Sequence, residues 1–198
     1  MLKRFMITSA MLLLLSGCAG VVAVGGAVSE FVVDNFKGVE SSLPVSMNAA
    51  MAAVQQGLKA TDFSVDVIEY QENGYLISFK SGDLDGQIQL SKQTNKLTTL
   101  YVNVKSTGGV IREEMVEQTV LDVISKRSKR VKSRARFNYA GYNFIRAKPS
   151  LKSEKVGRYK RGVDLGLQRS PENSAWLQIK MPSGKSAFLK GALPVKKK

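Results

Sequence analysis

Between residues 47 and 58 the apolar side chains Met47, Ala50, Met51, Val54 and Leu58 recur at three- and four-residue intervals, along one face of a helix. Pro44 precedes the pattern and Gly57 falls late in it, so the spacing predicts an amphipathic helix of about four turns. The period then drops to two. Segments 64–71, 74–81, 87–92 and 96–105 read as strands, separated by Glu-Asn-Gly, Gly-Asp-Leu-Asp-Gly and Thr-Asn turns. Alternation in Tyr75, Ile77, Phe79, in Ile88, Leu90 and in Leu100, Val102, Val104 marks strands with one covered face. A second helix is predicted over about 110–126, with Ile111, Met115, Val116, Val120, Val123 and Ile124 on its apolar side. Short turns make the strands antiparallel neighbours, and 37–43 is a candidate edge strand. Burying every stripe takes a four- or five-stranded antiparallel sheet with both helices on one face, within residues 36–125.

Past residue 141 the pattern changes. From Tyr142 to Val195 the strands shorten, turn residues recur every eight to twelve positions and no helical stripe appears, which points to a small β-barrel. Ile145-Arg146-Ala147-Lys148-Pro149-Ser150 is similar to the Val-Arg-x-x-Pro-Ser start of the bacterial SH3 (SH3b) family. Lys155-Val156-Gly157, the Tyr159-Lys160-Arg161-Gly162 strand end, Ala175-Trp176-Leu177-Gln178-Ile179 and the Pro182-Ser183-Gly184-Lys185 turn before Ala187-Phe188-Leu189 follow in that family's order. Two positions depart from it: Phe144 stands where the family usually has Asn, and Ala187-Phe188 replaces Gly-Trp. Segment 36–124 resembles a family of small uncharacterised bacterial lipoproteins, which has no agreed activity to carry over. That likeness rests on the Phe36 to Pro44 stretch, the Ala-rich helix, the Asp62-Phe63-Ser64-Val65 join and the Gly-containing turn before the second helix. The expected fold class is α+β: a small antiparallel sheet with two helices on one face, followed by a small SH3-like β-barrel.

At the N-terminus a basic start (Lys3, Arg4) leads into an uncharged apolar run from Phe5 to Leu15. As a helix that run rises only about 16 Å, against a hydrocarbon core of roughly 30 Å. A short apolar region followed by small residues is the pattern of a removable export signal. Leu15-Ser16-Gly17-Cys18 resembles the lipobox of bacterial lipoproteins, which implies cleavage before Cys18, a diacylglycerol on its thiol and acylation of its amine. Two or three acyl chains anchor a protein stably where one does so only marginally. The uncharged stretch continues to Ser29, 25 residues in all, long enough for an uncleaved membrane helix, although Gly17, Gly20, Gly25 and Gly26 disfavour one. Either way the body lies beyond the inner membrane. Ala19 lacks the aspartate of an inner-membrane retention signal, which implies the outer membrane, facing the periplasm. The expected organisation is a signal peptide (1–17), lipidated Cys18 and tether (18–35), an α/β domain (36–125), a basic linker (126–141) and an SH3b domain (142–198).

Composition narrows the chemistry. With no histidine and a single cysteine, Ser-His-Asp and Cys-His catalysis, histidine-ligated zinc and a thiolate cluster are excluded within one chain, as is an intramolecular disulfide. No cofactor or metal is implied. Carboxylate pairs remain, as Asp83 with Asp85 and Glu113 with Glu114, but the first lies in a turn and the second in a first helical turn, where acids have structural reasons to be.

Charge splits the chain. Residues 36–125 carry seven basic and eleven acidic side chains, net −4, whereas 126–198 carry twenty-one basic and three acidic, net +18. The steepest part is Lys126, Arg127, Lys129, Arg130, Lys132, Arg134 and Arg136, a contact for an anionic surface. As a continued helix this linker is a basic rod; as a loop it is a flexible electrostatic arm. Lipid head groups, lipopolysaccharide phosphates and peptidoglycan carboxylates would each attract it, and nucleic acid would too, although export argues against that partner.

The SH3b resemblance implies binding to cell-wall peptide or glycan, with Tyr142, Tyr159, Trp176 and Phe188 as exposed aromatics and Arg146, Arg158 and Arg161 as cations for carboxylates. The expected function is a non-catalytic envelope lipoprotein whose basic module binds peptidoglycan or a wall-associated partner. The alternative is an accessory subunit of an envelope protein complex, and a carboxylate-based wall hydrolase is a third reading.

Overall fold

Ten strands form one antiparallel sheet in the computed structural model, which describes residues 38–106, 111–170, 173 and 175–191. They are β1 (Val39–Leu43), β2 (Ser64–Gln71), β3 (Gly74–Ser81), β4 (Leu84–Thr94), β5 (Leu97–Ser106), β6 (Tyr142–Arg146), β7 (Lys155–Lys160), β8 (Gln168–Arg169), β9 (Trp176–Lys180) and β10 (Ser186–Lys190). Two helices, α1 (Met47–Ala60) and α2 (Glu114–Ser128), complete the fold. The strand order is β1-β5-β4-β3-β2-β7-β6-β10-β9-β8. The signal, Cys18 and the tether lie outside the described residues. Among the described residues no helix is long and apolar enough to cross a membrane.

This arrangement corrects the expected fold class. There is no small sheet followed by a closed SH3-like barrel; β1 and β8 end a single open sheet that runs through both halves of the chain. The joint is β2 on β7, with Val67 opposite Tyr159, Ile68 opposite Arg158 and Glu69 opposite Gly157. A strand's alternation says which face is covered but not which neighbour its edge takes, so the C-terminal strands met a ready edge on β2 and extended it. Gly157 permits the approach, since a Cβ there would stand 2.5 Å from the Ile68 carbonyl oxygen. β2 accordingly behaves as an interior strand, buried at every position from Val65 to Glu69.

Two apolar cores lie on the sheet. In the larger, α1 and α2 cover one face, packing Met51, Val54, Leu58, Val120 and Ile124 on Ile68, Ile77, Phe79, Ile88, Leu100 and Val102. The alanines of α1 bring the helices close, and a Cβ on Gly57 would come within 2.6 Å of the Ile124 Cγ1. The smaller core joins Val67 of β2 to Ile145, Leu177, Ile179, Met181, Ala187 and Leu189. Each fully buried aliphatic side chain here contributes about 1.5–3 kcal/mol.

The second helix departs from its predicted face. It starts at Glu114, so Ile111 precedes it, and Ile111 and Met115 are 63% and 85% exposed. The cause is Glu117, which is fully buried. Its carboxylate accepts hydrogen bonds from the Val104 amide at 3.0 Å and from Arg112 Nε and Nη2 at 2.9 and 2.6 Å, which draws 111–113 across β5.

The basic linker is neither a rod nor a loose arm. α2 stops at Ser128, and the chain beyond it lies as a strap on the larger core, with Phe137 buried and Val131, Tyr139 and Tyr142 packed against that cluster. The Gln55 amide fastens the strap, donating to the Asn138 carbonyl at 2.9 Å and accepting from the Asn138 amide at 2.8 Å.

Candidate functional site

The β2–β3 hairpin places Tyr70 directly opposite Tyr75, with their rings edge to face at 6.0 Å between centroids. β7, the next strand, sets Arg158 beside them. Its Nε donates a hydrogen bond to the Tyr70 hydroxyl at 3.0 Å, and its guanidinium lies over the Tyr139 ring at 4.4 Å and the Phe144 ring at 4.0 Å. The strap supplies Tyr139 and β6 supplies Phe144. A cleft of about 410 Å³ opens here, lined by Tyr70, Tyr75, Tyr139, Arg158, Lys92 and Met47 among others.

The cleft presents the cations Arg158 and Lys92, the acid Glu72 and three phenol rings, groups that can engage a carboxylate or a polar ring. Stacking holds the guanidinium plane, Tyr70 takes one N–H, and among the described residues Nη1 and Nη2 have no hydrogen-bond partner. A guanidinium held with its fork open suits a bidentate carboxylate. Burial, with Tyr75 and Tyr70 adding and Arg158 opposing, pushes the Tyr139 hydroxyl to about 12; burial also raises Tyr75. Both phenols therefore remain neutral hydrogen-bond donors at ordinary pH.

The seven predicted contact residues are spread over the C-terminal half, and only Arg158 lines the cleft. Tyr142 is half-buried, stacks edge-on against Phe137 and donates to the Val65 carbonyl at 3.1 Å; burial first, then the Asp66 charge, pushes its hydroxyl to about 12. Arg146 is tied to the Ser153 carbonyl at 2.7 Å, opposite Phe188, which is half-buried. Tyr159 packs against the smaller core and accepts from Asn143 Nδ2 at 3.2 Å. Trp176, a candidate exposed aromatic whose alternative was core packing, is buried, only 5% exposed. Arg161 is exposed.

All seven linker cations, Lys126, Arg127, Lys129, Arg130, Lys132, Arg134 and Arg136, are exposed, and among the described residues none is in an ion pair. Lys126 and Arg127 sit in the last turn of α2, where the helix dipole favours cations. The stretch leads through Phe137 and Asn138 into Tyr139, a wall of the cleft.

The candidate carboxylate pairs are engaged otherwise. Asp85 pairs with Lys80 at 3.1 Å and Glu114 with Arg112 at 3.0 Å, while Asp83 is exposed in its turn. Among the described residues no three acidic or sulfur side chains are grouped to hold a metal ion.

No family model matches this chain, and no curated protein matches it.

Sequence reasoning missed Tyr70, Tyr75, Tyr139 and Lys92. A signal existed for the first two: they flank the Gln71 to Gly74 turn symmetrically, so a hairpin must pair them. Nothing local marks Tyr139, whose position depends on the strap's path.

Proposed function

We propose that the protein is a non-catalytic lipoprotein of the cell envelope, held by lipidated Cys18 in the outer membrane and facing the periplasm. Its basic C-terminal half binds the carboxylates of peptidoglycan, with Arg158 as the specific contact and the cationic strap as the long-range attraction. The observation that carries this reading is the open fork of Arg158, stacked in an aromatic cleft at the end of a stretch, the last turn of α2 and the strap, that bears seven exposed cations, none in an ion pair among the described residues. The lipobox-like Leu15-Ser16-Gly17-Cys18 supplies the compartment.

Two measurements test it. Labelling with a clickable fatty acid should mark wild type and leave Cys18→Ala unmarked; equal labelling would remove the anchor. Pull-down of the detergent-solubilised full chain on purified sacculi should retain it at physiological salt, and no retention would remove the wall contact.

A second reading, an accessory subunit of an envelope complex, is favoured by Ile111 and Met115, which expose apolar side chains at the start of α2. Crosslinking that recovers a stoichiometric protein partner, without sacculus binding, would favour it.

A further inference from the structure

On the sheet face away from the helices a second and larger opening, of about 990 Å³, lies between the β2–β3–β4 surface and the segments 163–166 and 179–184. Its floor carries Asp66 and its apolar lining includes Val67, Ile179 and Met181. Asp66 sits at the irregularity in β2, where the pairing with β3 slips between Val65 and Val67. An extra residue at a bulge is left out of the ladder and re-aimed, here into the groove.

Asp66 is only 4% exposed, and among the described residues its carboxylate has no hydrogen-bond or ion-pair partner. The neighbouring cations act on it only through space: Lys80 of β3 pairs with Asp85 of β4 at 3.1 Å, and Lys160 of β7 donates to the Ser64 hydroxyl at 2.8 Å. Glu69, the other buried carboxylate of β2, is by contrast satisfied by the amide and hydroxyl of Ser183. The Asp66 oxygens face the water of an open groove without a hydrogen-bonded partner from the protein, which leaves them available to a cation from outside. Burial pushes its carboxyl from 3.8 up to about 6, with Lys80 and Lys160 opposing and Asp85 adding. It is nonetheless ionised at neutral pH. The lining is mixed, with Ser64, Ser78, Gln87, Lys80 and Asp164 beside Val67, Ile179 and Met181, and its aliphatic part suits an ammonium carried on an alkyl stem rather than a bare metal ion.

We propose that this groove binds a peptide through a primary alkylammonium group, received by the Asp66 carboxylate, with the alkyl stem lying along Val67, Ile179 and Met181. Lys180, exposed at the rim, is placed to meet a carboxylate of the same peptide. The groove walls are braced, Gln87 donating to the Pro182 carbonyl at 3.3 Å. The site is separate from the Arg158 cleft, whose tyrosines pack on the helix-covered core, and does not rest on the wall-binding reading.

The probe is the tripeptide Ala-Lys-Ala, blocked at both ends so that the lysine amine is its only ammonium, against the same peptide acetylated on that amine. Titrated into the labelled full chain in detergent and followed by amide NMR, the free amine should shift residues 66–67 and 179–184 to saturation. The acetylated peptide, and Asp66→Asn with the free amine, should each bind at least tenfold more weakly. The Asp66 carboxyl titration midpoint should fall when the peptide is bound. Equal shifts from both peptides, no shifts in the groove, or undiminished binding to Asp66→Asn would overturn the proposal. The acetylated control decides the question even if the variant folds poorly.

Discussion

The Glu69 carboxylate accepts two hydrogen bonds from Ser183, one from its amide at 2.9 Å and one from its hydroxyl at 2.6 Å, across 114 residues of chain. With the β2–β7 pairing and the Tyr142 hydroxyl on the Val65 carbonyl, it makes β2 common property of both halves. Ser183→Ala, which removes the shorter of the two bonds, should lower unfolding free energy by about 1–2 kcal/mol. Glu69→Ala, which leaves both Ser183 donors without their partner, should cost more. Urea unfolding of the two variants checks the order.

Gly157→Ala tests the joint itself. The added methyl would meet the Ile68 carbonyl oxygen at 2.5 Å and the Met181 Cε at 3.0 Å. Overpacking a backbone contact of this kind costs about 1–3 kcal/mol. Amide exchange should show the loss of protection concentrated at 67–69 and 157–159. Unchanged protection there would mean that the two halves do not share a sheet.

Asp66→Asn should stabilise the protein, and only at higher pH. Below pH 3.8 the carboxyl is protonated in folded and unfolded chains alike, so wild type and variant should differ little. Between 3.8 and about 6 the folded chain holds the proton more tightly, so wild-type stability falls as pH rises, and above that the penalty is complete. The variant's advantage at pH 7.5 should be about 1–2 kcal/mol, less than the full shift implies because groove water screens the charge. Denaturant midpoints at pH 4 and 7.5 check it.

Local pattern was legible where one period governed one face. Tyr75, Ile77 and Phe79 alternate and Asn73-Gly74 makes the turn, so β2 and β3 fall where the period places them, at Ser64–Gln71 and Gly74–Ser81. The union of the halves was not legible, because both faces of β2 are covered yet Asp66 and Glu69 interrupt the apolar run that would reveal it. Glu69 is buried because Ser183 reaches it, a contact no local window contains. Met115 misled for the converse reason: it matches the helical stripe of α2, but the pairing of half-buried Arg112 with buried Glu117 turns that end of the helix outward. In the candidate site Arg158 could be picked by charge and position. Tyr139 could not, since its ring reaches the guanidinium only through the fold of the strap.

The most direct measurement of wall recognition is sacculus retention of Arg158→Lys beside wild type across a salt series. Lysine keeps the charge but loses the fork and the stacking on Tyr139 and Phe144. Retention should fall about tenfold or more at physiological salt, in line with a lost bidentate contact, while the salt dependence set by the seven cations of 126–136 stays close to wild type. Equal retention of the two proteins at every salt concentration would contradict a specific carboxylate contact at Arg158.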